Sequence, residues 1–153
     1  DIQFVLCQAP TIKDEQLSNC IPAKIKIFKN KNYELLAYSD VLILASGTVA
    51  LEAALYETPM IISYRGPEIF YWIYLLVRCI TKVSLPNIIT NSDIVPELIQ
   101  HKAKPEIIAK TIAELLLNKE KYSKMKADLK TVRHYLTDKN SAQEAAKIIL
   151  ENL

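Results

Sequence analysis

Short apolar runs alternate with helix-forming segments over the first 64 positions of the chain. Strands are predicted where apolar residues run together or alternate with polar ones, at Gln3–Cys7, Ala23–Phe28, Val41–Ala45 and Met60–Tyr64. Helices are predicted between them, at Ile12–Cys20, Tyr33–Ser39 and Thr48–Tyr56. The run VLILA is apolar throughout, which is typical of a strand covered on both faces. The order β-α-β-α-β-α-β predicts an α/β fold, a parallel sheet with helices on both faces.

A longer apolar segment, PEIFYWIYLLVRCIT at Pro67–Thr81, is predicted to be a helix that is apolar nearly all round. It is too short to span a bilayer, which takes about 20 apolar residues. Its aromatic residues include Phe70, Tyr71, Trp72 and Tyr74. A helix on a sheet normally keeps one polar face. Two interpretations therefore stay open: a core helix or domain interface, and a surface that faces lipid.

The second half of the chain is predicted to be mostly helical. Val83–Thr90 combines a strand-like start with a Pro-Asn turn, and Asp93–Gln100 is predicted to be a short helix. Apolar residues then recur at helical spacing in three stripes: Ile108, Ile112, Leu115 and Leu116; Leu129, Val132 and Leu136; and the apolar residues of Ala142–Leu153. No Pro/Gly/Ser-rich linker divides the 153 residues, so we expect a single domain over residues 1–153.

Charge and cysteine content narrow the function classes. The net charge of +2 is too small to indicate nucleic acid by itself. Residues 101–153 carry 11 Lys/Arg and 7 Asp/Glu, so these helices present either a solvated face or a surface for anionic lipid. Cys7, Cys20 and Cys79 are widely spaced with no histidine near them, which excludes the usual zinc and disulfide patterns and favours free thiols. The chain starts with Asp1 and a strand-like segment, and we expect it to be part of a longer protein.

One of only two glycines, Gly47, lies between the run VLILA and the next predicted helix. Ligands of parallel α/β sheets bind outside the carboxyl ends of the strands. A helix N-terminus adds unpaired N–H groups and a partial positive charge, a combination that binds phosphate. Gly47 would let a phosphate approach the backbone, and Ser46 or Thr48 would cap the helix or donate a hydroxyl to a phosphate oxygen.

Glu52 lies one helical turn after Thr48 and on the same face. Its carboxylate is placed to accept hydrogen bonds from two sugar hydroxyls, as acidic residues do for ribose in dinucleotide-binding folds. The segment therefore predicts a nucleotide site. The residues alone leave a second interpretation open, in which the turn only caps a helix and Glu52 is solvated. The Gly-rich Walker and dinucleotide fingerprints are absent.

A series of motifs extends this prediction, in the order ASGTVALEAALYETPMIISYR, FYWI, SLPNII, VPELIQ and NSAQEAAKIILE. From about Ile25 to the C-terminus the chain resembles the C-terminal half of the lipid-A-disaccharide synthase family. These are bacterial glycosyltransferases of the two-Rossmann (GT-B) type, family 19. The resemblance implies a UDP-sugar-binding, Rossmann-like domain. This domain would be the donor-nucleotide half of an enzyme that transfers 2,3-diacylglucosamine from UDP to 2,3-diacylglucosamine 1-phosphate with inversion, in lipid A biosynthesis.

The resemblance also implies a set of nucleotide-binding residues, Ser46, Gly47, Thr48, Glu52, Arg65 and Asn87. The Ser46–Thr48 turn would hold the diphosphate, with Glu52 toward the ribose and Asn87 near the nucleotide. Arg65 would offset the charge that develops on the leaving diphosphate. The general base that inversion requires is expected in the N-terminal half, so this chain alone should be inactive. His101 and His134 are expected at the surface.

Further expectations about partners follow from the same resemblance. The UDP-sugar is a substrate, so no cofactor is expected, and no metal. The expected partners are UDP-2,3-diacylglucosamine, an acyl-sugar phosphate acceptor and the cytoplasmic surface of the inner membrane; no nucleic acid is expected and a homodimer is left open. Acylated substrates favour a lipid-facing role for Phe70, Tyr71, Trp72 and Tyr74, with Arg78 and Lys82 near headgroups.

Two other functions stay open at this point. One is another GT-B enzyme, a transferase or epimerase acting on UDP-N-acetylglucosamine, although a soluble sugar gives no reason for so apolar a helix at Pro67–Thr81. The other is a non-catalytic interaction module whose turn merely caps a helix.

Overall fold

Parallel strand pairs form the framework of the computed structural model, which describes residues 2–18, 20–22, 24–68, 82–137 and 141–152. The chain divides into two compact units, residues 1–39 and 40–153. Each unit contains its own parallel sheet. The predicted α/β fold with parallel strands and C-terminal helices is therefore confirmed.

The first unit contains two strands and two helices. They are β1 (Val5–Gln8), α1 (Asp14–Ser18), β2 (Lys26–Lys29) and α2 (Asn32–Tyr38). The strands pair in parallel, with Val5 opposite Lys26 and Gln8 opposite Lys29. Helix α1 is shorter than the predicted Ile12–Cys20.

Polar side chains connect the elements of the first unit. The buried Gln8 amide donates from Nε2 to the Ile12 carbonyl and to Asp14 Oδ1, both at 2.7 Å. The Lys29 ammonium lies 2.7 Å from the Asp14 carboxylate. Asp14 thus joins the end of β1 and the end of β2 to the start of α1.

The second unit contains a three-stranded parallel sheet of β3 (Leu42–Leu44), β4 (Met60–Tyr64) and β5 (Glu97–Ile99), with β4 in the centre. The described helices are α3 (Val49–Leu55), α4 (Leu85–Thr90), α5 (Pro105–Leu117), α6 (Lys119–Thr137) and α7 (Ser141–Glu151), with a 3₁₀ turn at Gln100–Lys102. Of the predicted helix Pro67–Thr81, residues 69–81 lie outside the described part of the chain.

Helices cover both faces of this sheet. On one face Ile61 and Leu98 pack against Ile112 of α5, with Ile108 and Leu116 at the margin. Successive strand side chains point to opposite faces, so Met60 and Ile62 belong to the other face, and both are fully buried. On that second side α3 packs against β4 and α6 packs against α3.

Small residues bring α3 close to its neighbours. Ala50, Ala53 and Ala54 are fully buried, and so are Leu129 and Val132 of α6. Full burial of a leucine or valine side chain contributes roughly 1.5–3 kcal/mol to stability. The sheet, α3 and α6 therefore form a packed scaffold beneath the carboxyl ends of the strands.

The structure reverses the two secondary-structure predictions between Val83 and Gln100. The strand-like Val83–Thr90 contains helix α4, because Ser84 and Pro86 stand at its start, where proline's missing N–H costs nothing. The predicted helix Asp93–Gln100 contains strand β5. Its short apolar run pairs with β4 and buries Leu98 against Ile61, and Pro96 stands just before the strand, where a proline is tolerated.

Candidate functional site

The carboxyl ends of β3, β4 and β5 lie at one edge of the second sheet. The register sets Leu44 opposite Ile62 and Ile62 opposite Glu97. Three connections leave this edge: Ser46–Thr48 after β3, Arg65–Gly66 after β4, and Gln100 after β5. Ligands of parallel α/β sheets bind at such an edge, so its side chains and backbone groups define the candidate site.

The Ser46–Thr48 turn is open at its glycine. A Cβ placed on Gly47 would meet no other described atom within 4 Å, and the φ of Gly47 is +159°. Thr48 is exposed, and its hydroxyl forms no hydrogen bond to another described residue. A ligand group can therefore reach the backbone here without displacing a side chain.

Of the two roles predicted for the Ser46 and Thr48 hydroxyls, capping of the helix is wrong, and donation to a phosphate oxygen stays a prediction. Thr48 is the N-cap residue of α3, but its backbone is already helical (φ −62°, ψ −27°) and no side chain forms a cap hydrogen bond. The Ser46 hydroxyl instead donates to the Val83 carbonyl at 2.9 Å. Its hydrogen is thus used within the protein, and its oxygen keeps lone pairs that can accept a hydrogen bond.

Glu52 lies on α3 one turn beyond Thr48, which is about 6 Å along the helix axis. The residue is half-buried, and its carboxylate forms no hydrogen bond or ion pair within the described part of the chain. The neighbouring Ala53 and Ala54 lie on the side of the helix that faces the core. Glu52 therefore presents an available acceptor beside the open turn.

Glu97, at the start of β5, binds the segment that leads into α4. Its Oε1 accepts hydrogen bonds from the Ser84 N–H at 2.8 Å, the Ser84 hydroxyl at 2.7 Å and the Asn87 amide at 2.9 Å. The Val83 N–H lies 3.0 Å from Oε2. Because Val83 also accepts from Ser46, this segment is fixed between Ser46 and Glu97.

The same contacts distinguish the two helix N-termini near the candidate site. A helix N-terminus attracts negative charge. At the start of α4 the Ser84 N–H and the Asn87 amide already donate to the Glu97 carboxylate, whereas no described carboxylate accepts a hydrogen bond from the start of α3, whose first turn carries Glu52. The start of α4 is therefore already occupied by Glu97, whereas the Ser46–Thr48 turn binds no described carboxylate.

Asn87 is 1% exposed and uses its whole side-chain amide inside the protein. Its Nδ2 donates to the Val95 carbonyl and to Glu97, both at 2.9 Å. Its Oδ1 accepts from the N–H groups of Ile94 and Val95 at 2.8 and 2.9 Å. With no donor or acceptor left over, Asn87 orients Glu97 and the start of β5 in this structure, and it has no free group for a ligand.

Arg65 is exposed just after β4, with no hydrogen bond or ion pair to another described residue. The next residue, Gly66, is bound on both its backbone groups by the Gln100 side chain. Arg65 is thus the one described cation that immediately follows a strand of this sheet, and it suits an anionic ligand.

Other predicted residues lie elsewhere. Phe70, Tyr71, Trp72 and Tyr74 lie outside the described residues. His101 and His134 are exposed, as expected, and His101 lies 3.7 Å from Glu68. The Lys82 ammonium forms an ion pair with the Asp93 carboxylate at 2.6 Å, so its charge is already paired within the protein.

Two surface grooves, of about 780 and 380 Å³, lie beside α6. None of the predicted nucleotide-binding residues lines either of them, and both are open to solvent, so they are weaker candidates than the edge of the sheet. Within the described ranges, no group of three His, Cys, Asp or Glu could hold a metal ion. No described helix is both long and apolar enough to cross a bilayer.

Glu97 and Gln100 are the residues that sequence reasoning missed. Both occur in the motif VPELIQ, which carried the family resemblance without a role assigned to either. The signal was present: each is a polar residue at one end of a short apolar run. It was lost because the run was predicted to be a helix, which would have placed the two side chains differently.

Known proteins are similar in sequence to this chain over nearly all of its length. The family model for lipid-A-disaccharide synthetase matches residues 4–152. A lipid-A-disaccharide synthase from Nitrosococcus oceani is 33% identical over 89% of this chain, and one from Persephonella marina is 31% identical over 99% of it. One from Wigglesworthia glossinidia brevipalpis is 41% identical over 67% of the chain. The chain spans 36% and 42% of the length of the first two relatives.

Proposed function

Because this chain belongs to the lipid-A-disaccharide synthase family, we propose that it supplies the donor-nucleotide site of a glycosyltransferase of lipid A biosynthesis. The diphosphate of a UDP-sugar binds at the Ser46–Thr48 turn, and the ribose hydroxyls donate to Glu52. The donor is UDP-2,3-diacylglucosamine and the acceptor is 2,3-diacylglucosamine 1-phosphate. The relatives carry the synthase name, which supports this choice of reaction.

One observation carries the proposal. A turn with open backbone and an available carboxylate lie one helical turn apart on α3, at the carboxyl edge of a parallel sheet. A diphosphate needs N–H donors, and a ribose diol needs an acceptor a few ångströms away. Both needs are met in the order in which the groups occur in a nucleotide.

The reaction inverts the anomeric carbon. The acceptor's 6-hydroxyl attacks that carbon while the bond to the diphosphate breaks, and UDP leaves. Negative charge grows on the diphosphate in the transition state, where Arg65 and the start of α3 stabilise it. The proton of the attacking hydroxyl goes to a general base. The nucleotide-binding residues do not supply this base, which belongs to another part of the enzyme.

The reaction takes place at the cytoplasmic surface of the inner membrane, where the acylated substrates lie. The apolar sequence of Pro67–Thr81 and the basic composition of residues 101–153 support this assignment. The family membership supports it as well, since both proposed substrates carry acyl chains.

The test is a titration of the intact protein with UDP and with ADP by calorimetry, repeated on Glu52→Ala. We expect UDP to bind more tightly than ADP. We expect the substitution to weaken UDP binding about tenfold or more, because a hydrogen bond to a charged group contributes about 1.5–3 kcal/mol. Glu120→Ala, which removes an exposed carboxylate of α6, is the matched control and should leave the affinity unchanged. Equal affinity for both nucleotides, or for Glu52→Ala and the parent protein, would contradict the proposal.

A further inference from the structure

Gln100 has a backbone conformation that side-chain-bearing residues rarely adopt. It follows β5 directly, its φ is +50°, and only 4% of its surface is exposed. Such conformations persist where the surrounding structure over-determines them, and they concentrate at functional sites. The left-handed turn directs the main chain away from β4 just after the last register pair, Tyr64 with Ile99.

The Gln100 side chain forms hydrogen bonds with the backbone of Gly66, which the main chain of a longer β5 would otherwise form. Its Oε1 accepts the Gly66 N–H at 2.6 Å, and its Nε2 donates to the Gly66 carbonyl at 3.0 Å. This amide pair satisfies both backbone groups of Gly66. Only a side chain that accepts and donates at once can do so, which a carboxylate cannot.

Gly66 is also confined on its other side. A Cβ at this position would lie 3.1 Å from the Cε1 and hydroxyl atoms of the Tyr64 ring. The backbone that carries Arg65 is therefore fixed before it by the strand pairing of Tyr64 and after it by the amide pair. The Arg65 side chain is itself exposed and makes no contact of its own with a described polar group.

We propose that Gln100 is a positioning residue that holds Arg65 toward the anionic part of the ligand at this edge. The inference rests on the proposed nucleotide site and adds the residue that orients its cation. Gln100 does not touch the ligand; it acts through Gly66 and Arg65. A guanidinium whose backbone is fixed loses less freedom on binding a phosphate than one on a mobile turn.

A double-mutant cycle on the intact protein tests this role, with UDP affinity measured by calorimetry. Gln100→Glu keeps the size of the side chain and replaces the donor to the Gly66 carbonyl with a carboxylate oxygen. We expect it to weaken UDP binding about tenfold, which corresponds to about 1.4 kcal/mol. In an Arg65→Ala background the same substitution should change the affinity less than about twofold.

A second perturbation keeps the test decisive if Gln100→Glu folds poorly. Gly66→Ala places a methyl group against Tyr64, shifts the same turn, and should show the same dependence on Arg65. Val132→Ala, a buried change in α6, is the control for lost stability: it should lower the melting temperature and leave UDP affinity unchanged in both backgrounds.

The outcomes separate this inference from the proposed function. If the parent protein binds UDP but the Gln100 and Arg65 effects add independently, or Gln100→Glu has no effect, the positioning role is wrong and the nucleotide site stands. If the parent protein binds no UDP, the proposed function fails and the inference fails with it. A Gln100→Glu effect that vanishes without Arg65 supports the role.

Discussion

At the scale of single residues, the candidate site depends on which polar groups the protein leaves unused. Ser46 and Asn87 are polar residues in the right segment, but internal hydrogen bonds occupy the Ser46 hydrogen and the whole Asn87 amide. Glu52 and Arg65 remain available, and Gly47 leaves the backbone open. Composition and spacing identify such residues as polar; only the positions of their neighbours decide which can bind a ligand.

Gly47→Ala tests whether a ligand approaches the turn, and its cost in stability is measured alongside. The added methyl group meets no other described atom within 4 Å, but the φ of +159° is one that residues with a side chain rarely adopt. We therefore expect backbone strain to lower the free energy of unfolding by roughly 1 kcal/mol or more. A phosphate that approaches the same backbone would meet the methyl group, and UDP affinity should fall about tenfold or more. Chemical denaturation and calorimetry on the same samples measure the two effects. An unchanged UDP affinity would show that the diphosphate does not approach this turn.

At the scale of elements, long-range pairing changed how two segments fold. SLPN begins like a strand and VPELIQ contains good helix formers, yet the first opens α4 and the second forms β5. The Glu97 carboxylate stabilises the start of α4 from ten residues beyond Asn87, while β4 supplies the partner for β5. Local propensity is a weak guide where a distant charge or an open sheet edge supplies the stabilising contact.

In the first unit, Asp14 makes stability depend on pH. Its hydrogen bond to Lys29, with that to Gln8 and the Lys29 charge, holds the pKa of the Asp14 carboxyl below its usual value. A carboxyl whose pKa is lowered in the folded state stabilises that state above its unfolded pKa of about 4, and the effect is lost as the pH falls through the lower folded pKa.

Asp14→Asn should therefore lower the amide protection of β1 and β2 at pH 7 and flatten its dependence on pH below about 4. Hydrogen exchange measures this protection strand by strand. Asp128→Asn removes a carboxylate that pairs with Lys124 within α6, and it should leave β1 and β2 unchanged. The same loss of protection below pH 4 in Asp14→Asn as in the parent protein would argue against this account.

At the scale of the whole molecule, the family match covers both compact units, from residue 4 to residue 152. The second unit carries every predicted nucleotide-binding residue. The aromatic residues of Pro67–Thr81 lie outside the described residues, so their lipid-facing role remains a prediction from sequence.

We expect the intact protein to co-sediment with anionic lipid vesicles, and less so in high salt, because lysine and arginine side chains near an anionic surface contribute about 1 kcal/mol each. Replacing Phe70, Tyr71, Trp72 and Tyr74 by serine should weaken this association by removing the aromatic anchors. Neutral vesicles are the control for the charge contribution. Undiminished binding of the serine variant would favour the alternative interpretation, a helix buried at a domain interface.

The sequence by itself determined the α/β class, the strand-turn-helix around Gly47, and the family. Each of these depends on local periodicity or on motifs that follow one another along the chain. The tertiary structure decided the rest: that VPELIQ is a strand, that Glu97 neutralises the start of α4, and that Gln100 fixes the turn behind Arg65. These features join residues 10 to 35 positions apart, and a hydrogen bond across such a separation depends on the fold that brings its two ends together.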